Sequence, residues 1–423
     1  MSQRANALRA AVEQGLVGPE RPVAGLLDLD GIRASAAALR DGFATPGVEV
    51  THTFAVKAAS LVPVLRLLAE EGIGAEVASP GELALARAAG VPPDRVVLDS
   101  PAKTPAELAE ALALGVAVNA DNFQELARLD RLVRPGTTAP LGLRVNPQVG
   151  GGTIGAMSTA TATSKFGVAL RDEGAADRVV RAFLDRPWLT RLHTHTGSQG
   201  VPLDLMAAGV RAAYELAERI NHEAGRQQVR VIDIGGGLPV DFTSDDARPT
   251  FAEYASVLRA TAPGLFDGRY GLVTEFGRAL LARHGTVLAR VEYAKSAGGR
   301  AIAVTHAGVQ VATRTVFAPG AWPLRVLALD GKGRPKQGDP VLQDIAGPCC
   351  FAGDLVASAR ALPLLEEGDH VALLDTGAYY FSTHFAYNSL LRPAVHGHTG
   401  DPPRFRTLRR AQTLAELVTE SGG

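Results

Sequence analysis

Between residues 22 and 283 the chain keeps repeating one pattern: a short apolar run, then an amphipathic stretch of helical length. This alternation constrains the fold more than any other feature. Short, fully apolar runs suit strands buried on both faces, and helices between them make the strands parallel. The candidate strands are VAGLLDL, VEVTHTFAV, GAEVA, RVVLD, VAVNA, LGLRVNP, LTRLHTH, VRVIDI and GLVTEF. The candidate helices are SLVPVLRLLAEEG, SPGELALARAAG, TPAELAEALALG, NFQELARLDRL and LDLMAAGVRAAYELAERINHEAG. Some helix starts carry a cap, as at Ser79-Pro80-Gly81-Glu82, where Glu82 is expected to complete a capping box. The strands number nine, one more than a (β/α)8 barrel needs. Either the first packs elsewhere or one assignment fails.

After about residue 284 the pattern changes. TVLARVEYAKSAGGRAIAVTHAG, WPLRVLAL, PVLQDIAG and DHVALLD follow one another without long helices, which predicts an antiparallel β-domain. The chain has 423 residues. A TIM-type barrel takes roughly 250. The expected division is therefore a barrel over 30–283 and a β-domain over 284–423 that also takes in segment 1–29. Val149–Thr163 is rich in Gly, Ala, Ser and Thr and has no apolar period, so it reads as a long loop, and loops of that length are usually functional or mobile. The N-terminal stretch reads as a polar helix, and TLRRAQTLAELVTESGG as a short helix with a frayed end.

Composition narrows the function classes. Hydrophobic residues make up 46% of the chain, enough for a large core, and the net charge of −1 gives no basis for a nucleic-acid or membrane surface. The two cysteines, Cys349 and Cys350, are adjacent. They offer neither a spaced disulfide framework nor a Cys-rich zinc site, and no metal site is expected. No apolar stretch reaches the length of a membrane span, so a soluble cytoplasmic protein is expected.

Active sites of parallel barrels lie where the strands end. Polar residues at predicted strand ends are Lys57, Glu76, Arg144, His195, and Glu275 with Arg278. The run Gly235, Gly236 and Gly237 also ends a strand, and glycines there let backbone N–H groups converge on an anion. Each is ordinary alone. A lysine after a strand is usually a solvated end, a triple glycine a turn, and His193 or His195 a hydrogen-bonded structural residue. Together, an anion site, a lysine and an acid on one barrel face are what a pyridoxal cofactor needs.

The motifs extend this. FAVKAAS resembles a YAxKAN lysine motif, and GAEVASPGEL resembles GxGxDxxSxGEL. SKFG at Ser164–Gly167, HTHTGSQG, IDIGGG and TEFGR follow, then GPCCFAGD and DTGAYYFSTHFAYNS. In this order, from about residue 22 to 393, they resemble the fold-type III pyridoxal-phosphate decarboxylases, the group of diaminopimelate and ornithine decarboxylases. SKFG is similar to a signature of the diaminopimelate type. The resemblance implies an alanine-racemase-like architecture, a PLP-binding (β/α)8 barrel plus a C-terminal β-domain.

It also implies roles. Lys57 forms the internal Schiff base, helped by barrel burial that favours the neutral amine. His195 lies against the pyridine ring, and Glu275 faces the ring nitrogen. Ser198, the Gly235–Gly237 amides, Arg278 and Tyr379 surround the phosphate, with Arg144 and Glu76 behind the ring and lysine. Cys350 aligns with a cysteine that crosses a homodimer interface to reprotonate the substrate carbanion in the partner's site. Both thiols would otherwise be small core residues. Asp354 is expected to fix the cysteine loop.

Departures from the family pattern concern the substrate. Phe351 stands where the family has an acid for the substrate's distal ammonium, and a phenyl ring does not replace that charged pair. Arg314 matches the Arg of an RPxLY string, but Ala318 stands at its Tyr position, with Phe317 beside it; Ala307 replaces an acid found in ornithine-type enzymes. A pocket with a retained cation and lost anions predicts a substrate that is not a standard diamine acid, with Arg314 and His384 meeting an anionic or amide-bearing side chain. Two other readings stand beside decarboxylation: an amino-acid racemase or epimerase on the same fold, and a non-catalytic pyridoxal-phosphate-binding regulator.

Overall fold

The computed structural model describes residues 3–423. Contacts divide the chain into two units. One holds the residues up to Ala34, Asp241–Asp246 and Leu281–Gly423; the other holds Ser35–Val240 and Ala247–Leu280.

In chain order the strands are β1 (Val23–Asp28), β2 (Val50–Ala55), β3 (Gly74–Val77), β4 (Val96–Leu98), β5 (Ala117–Ala120), β6 (Leu141–Asn146), β7 (Val168–Ala169), β8 (Leu189–Thr194), β9 (Val231–Asp233) and β10 (Gly271–Phe276). The second unit is built from β2 to β10. Its sheet runs β5-β4-β3-β2-β10-β9-β8-β6, and β5 pairs with β6 to close it; β7 is a two-residue stub on β6. Every pairing is parallel. Eight strands therefore close a barrel, as the apolar alternation predicts. The ninth candidate, VAGLLDL, is β1, and it belongs to the other unit.

Four helices on the barrel start at polar caps, Ser79, Thr104, Asn122 and Thr250. Thr104 and Thr250 make full capping boxes with Glu107 and Glu253. The expected box at Ser79 is displaced by one residue. Ser79 accepts from the Glu82 N–H, but the Glu82 carboxylate accepts from Ala78 rather than from Ser79. All five candidate helices form. Leu29–Phe43, Ala175–Leu184 and Phe251–Thr261 are helices that the apolar pattern did not single out. In the first, a run of Ala and Ser dilutes the apolar stripe. Val149–Thr163 is largely irregular, with one short turn of helix at Gly155–Met157 and a bridge from Ser158 to Gly197.

The first unit adds β11 (Gly285–Ala297), β12 (Arg300–Thr305), β13 (Val326–Leu329), β14 (Pro340–Ala346), β15 (Leu355–Pro363), β16 (His370–Leu374), β17 (Val395–Thr399) and β18 (Arg404–Arg409). Its sheet runs β15-β14-β12-β11-β1-β17-β18, with β16 on β11 and β13 on β16. Most pairings are antiparallel, but β1–β17 and β12–β14 are parallel, so the sheet is mixed. The helix Gln3–Glu13 packs Leu8 and Ala11 onto Leu26, Leu288, Ala372 and Leu374, which makes the N-terminal segment part of this unit's core. A nine-residue helix, Val309–Phe317, interrupts the run of strands. Among the described residues no helix is long and apolar enough to cross a membrane.

Candidate active site

The polar strand-end residues of the sequence collect at one end of the barrel. Lys57 follows β2 in a single 3-10 turn, and its Nζ lies 2.6 Å from Glu76 Oε2 at the end of β3. Glu76 is fully buried, and burial pushes its carboxyl up while Lys57 pulls it down. Lys57 is not buried as expected: 48% of its side chain is exposed. The mouth of the barrel leaves the amine open, and the ion pair with Glu76 replaces burial as its main constraint.

Register sets the rest. Arg144 on β6 stands opposite His193 on β8, and His193 opposite Asp233 on β9. Arg144 Nη1 lies 3.1 Å from Asp99 Oδ2, and its guanidinium stacks 4.5 Å from the centre of the Phe166 ring. Phe166 is the aromatic residue of SKFG, so that motif supplies a face for a buried cation. A polar layer crosses the barrel interior here. Asp233 Oδ2 accepts from Asn119 at 3.2 Å and from Arg191 at 3.4 Å.

His195, two residues on from His193, accepts a 3.0 Å hydrogen bond at Nδ1 from the Gly236 N–H. That bond places the proton of a neutral ring on Nε2. Burial, with Arg144 and Lys57 nearby, holds the imidazole well below its usual range, so it is neutral.

The triple glycine has a steric reason. Gly235 and Gly237 have φ of +65° and +95°. A Cβ at Gly236 would strike the Glu275 carbonyl, and one at Gly237 the Gly197 carbonyl. Ser198 sits next to this crossing, and its Oγ accepts from Arg278 at 3.4 Å. Backbone amides, a hydroxyl and a guanidinium thus share one small cradle suited to an anion. Glu275 is almost fully buried, and its Oε1 has no hydrogen-bond partner. Burial, then Asp233, raises its carboxyl to about 8 while His193 pulls it down. A buried carboxylate oxygen left unsatisfied beside an anion cradle and an open lysine fits a group with a phosphate, an aldehyde and a basic ring nitrogen.

The remaining residues belong to the β-unit. Cys349 is buried and Cys350 exposed. Burial, then Asp354, pushes the Cys349 thiol up to about 11. Asp354 accepts from Val309 N–H at 2.6 Å and from Cys349 N–H at 2.8 Å, which ties the cysteine loop to the start of helix Val309–Phe317. A Cβ at Gly308 or Gly347 would meet this carboxylate. The Cys350 N–H donates to Asn388 Oδ1 at 2.8 Å. Asn388, Ser389, Tyr379 and Asp375 all have positive φ, a concentration of strain typical of functional loops.

Arg314 lies over Tyr379 at 4.1 Å and Trp322 at 5.0 Å, and its buried Nη1 has no hydrogen-bond partner. His384 donates from Nε2 to the Leu390 carbonyl at 3.0 Å. Phe351 is part of a ring of four aromatics. It stacks on Phe317 at 6.0 Å and meets Tyr387 edge-on at 5.8 Å; Phe385 meets Phe317 edge-on at 5.6 Å and stacks on Tyr387 at 6.0 Å. Phe317 is 60% exposed.

Residues 29–282 match the family described as pyridoxal-dependent decarboxylase, pyridoxal binding domain. The chain belongs to the pyridoxal-dependent decarboxylases. A diaminopimelate decarboxylase of Pseudomonas aeruginosa is 35% identical over 389 residues, 91% of this chain and 89% of that one. One from Aquifex aeolicus is 30% identical, covering 87% and 85%. Among solved structures, diaminopimelate decarboxylase of Helicobacter pylori, complexed with L-lysine, superposes with a TM-score of 0.82 at 25% identity, over 95% of this chain and 97% of that one. This decarboxylase is therefore a carboxy-lyase that uses pyridoxal phosphate on a TIM barrel with a β-domain. The family also answers the choice between decarboxylation, racemisation and a non-catalytic regulator.

The motifs assign no role to the polar layer behind the site, formed by Asp99, Asn119, Arg191 and Asp233 with His193. Asp99, Asn119 and Asp233 are polar residues inside or ending otherwise apolar strands, where a barrel interior would have to satisfy them; Arg191 lies in a strand with several polar residues and carries no such signal.

Proposed function

We propose that this enzyme decarboxylates an amino acid whose side chain does not end in an ammonium held by an acid. The observation that carries the substrate side is Phe351: it stands at the acid position and is packed into a closed ring of aromatics beside the exposed Cys350. An aromatic surface offers no charged acceptor.

Lys57 would hold the aldehyde end of the cofactor, and Glu76, 2.6 Å away, would keep its amine oriented. Ser198, the Gly235–Gly237 amides and Arg278 would hold the phosphate. Once bound, pyridoxal phosphate supplies an electron sink for the pair released as carbon dioxide leaves. Glu275, raised to about 8 by its burial and Asp233, would become an anion when it faces a protonated ring nitrogen, and would keep the proton there. His195, neutral and fixed by Gly236, would cover a ring face without adding charge. Arg144 holds Asp99 behind these groups.

Cys350, from the partner in a homodimer with shared sites, would deliver the proton to the substrate carbon. Its exposure suits a role toward another chain, whereas the buried Cys349, raised to about 11, suits a structural one. Arg314, with an unsatisfied buried Nη1, would take a carboxylate or amide oxygen of the substrate, and His384 would be a second contact to it.

Diaminopimelate itself is the second reading. The relatives are named for it, and Arg314 would suit its distal carboxylate. A screen of amino acids for carbon dioxide release separates the two. High kcat/KM on lysine, ornithine or diaminopimelate, with acidic and neutral analogues ignored, would sink the first reading.

A further inference from the structure

Strand β8 carries two histidines, and the roles above use only His195. His193 is completely buried. Its Nδ1 lies 3.4 Å from Asp99 Oδ1 and its Nε2 lies 3.5 Å from Glu275 Oε2. One donor atom from each of the three residues falls within 4.8 Å of the others. Neither ring nitrogen makes a hydrogen bond of good geometry, so the contact is chiefly electrostatic. Two carboxylates on either side of one ring, away from water, need a cation between them if both are ionised. A neutral imidazole offers one donor, whereas an imidazolium offers one to each side.

We propose that His193 is a cationic positioning residue, wedged between Asp99 and Glu275, that favours the ionised form of the buried Glu275 carboxyl facing the ring-nitrogen position. This rests on the assignment of Glu275 to that nitrogen.

The surrounding charges compete: burial, then Asp233, raise the Glu275 carboxyl to about 8, and His193 limits that rise. Burial alone would lower the His193 imidazole, but Asp99, Glu275 and Asp233 together raise it to about 10. Asp99, despite its own burial, is held well below its usual range by His193, then Arg144 and Lys103. Glu275 is faced by Asp233 from β9, His193 from β8 and Asp99 from beyond β4, and only His193 among these is positive. Arg191, on the same strand as His193, pairs with Asp233 and also lies within electrostatic reach of Glu275, so it is a second, more distant cation there. Without the imidazolium, the pH at which Glu275 takes up a proton would rise by about one to three units. Its ionised share at neutral pH would then fall roughly tenfold or more.

The test uses holoenzyme loaded with pyridoxal phosphate. Histidine-labelled wild type, followed by NMR, should show one of its ten imidazoles still protonated at about pH 9. If all ten titrate below about pH 8, the proposal is wrong. This measurement needs no variant to fold. Absorption spectra of His193→Gln, Glu275→Gln and the double variant provide the second arm. His193→Gln should move the cofactor spectrum toward that of Glu275→Gln, and the double variant should add nothing further. A wild-type spectrum in His193→Gln, or additive changes in the double variant, would overturn the coupling. If Glu275→Gln leaves the spectrum unchanged, the ring-nitrogen assignment fails and takes the proposal with it. The two failures are distinct, because only the second involves Glu275→Gln alone.

Discussion

The barrel unit and the β-unit treat charge in opposite ways. The barrel end holds the pair Lys57–Glu76, the series Arg144–Asp99–His193–Glu275, and Asp233 held by Asn119 and Arg191; of these side chains only Lys57 is exposed to a large extent. The β-unit, at the loop bearing Cys350, presents four aromatic rings and a lone buried guanidinium. Cofactor chemistry is the same for every amino acid, so its charges are fixed and internally balanced. Side-chain recognition differs from substrate to substrate, so it lies on loops where an acid can become a phenyl ring without disturbing the barrel.

The largest expected effect is at the barrel end. Lys57→Ala should bring carbon dioxide release to background and abolish the visible absorption of bound cofactor. A variant that kept both would remove Lys57 from the cofactor.

On the other side of the comparison, Cys350→Ala should lower kcat by about 10²–10⁴, the usual cost of losing a positioned proton donor. Cys349→Ala should do far less. Mixed Lys57→Ala and Cys350→Ala chains that exchange subunits should recover about a quarter of wild-type activity, since half the dimers are hybrids with one intact site. No recovery despite demonstrated exchange would rule out shared sites.

Phe351→Glu tests whether the aromatic ring sets specificity. Restoring a carboxylate at that position should raise kcat/KM for a diamine acid by about 10–100-fold, the worth of a charged hydrogen bond. An unchanged preference would show that the side chain is recognised elsewhere.

These regions were not equally legible in the sequence. Barrel strands declare themselves because both faces are buried, so most read as short runs rich in apolar residues between helical stretches. β1 reads identically because it too is buried between neighbours, and nothing local says that those neighbours are β11 and β17. The strand-end residues were found because chemistry-bearing side chains sit beside glycines and turns. The layer behind them was harder to find: Asn119 and Asp233 look like flaws in apolar strands until register brings them together. The exposure of Lys57 depends on the shape of the barrel mouth, which no local pattern encodes. The aromatic ring joins residues 317, 351, 385 and 387 from three separate segments, and only the fold brings them together.

The smallest effect concerns pH and compares one buried histidine from each unit. In the barrel, His52 Nδ1 pairs with Thr274 Oγ1 at 2.8 Å. Burial, then Arg40, pushes its imidazole down from 6.5 to about 4. In the β-unit, burial likewise pushes His284 to about 4, although Asp28 opposes it. A folded-state value below the unfolded one means stability is present above about pH 6.5 and is lost as pH falls toward 4. Glu275 works the other way: its carboxyl is raised to about 8, so acidification through that range favours the folded state. The informative quantity is thus the difference between variant and wild type. His52→Gln keeps a partner for Thr274 but cannot titrate. Its urea midpoint, plotted against pH, should fall less steeply than wild type between about pH 6.5 and 4, with the curves parallel above that window. Parallel curves throughout would mean that the His52 imidazole is not held neutral by its burial.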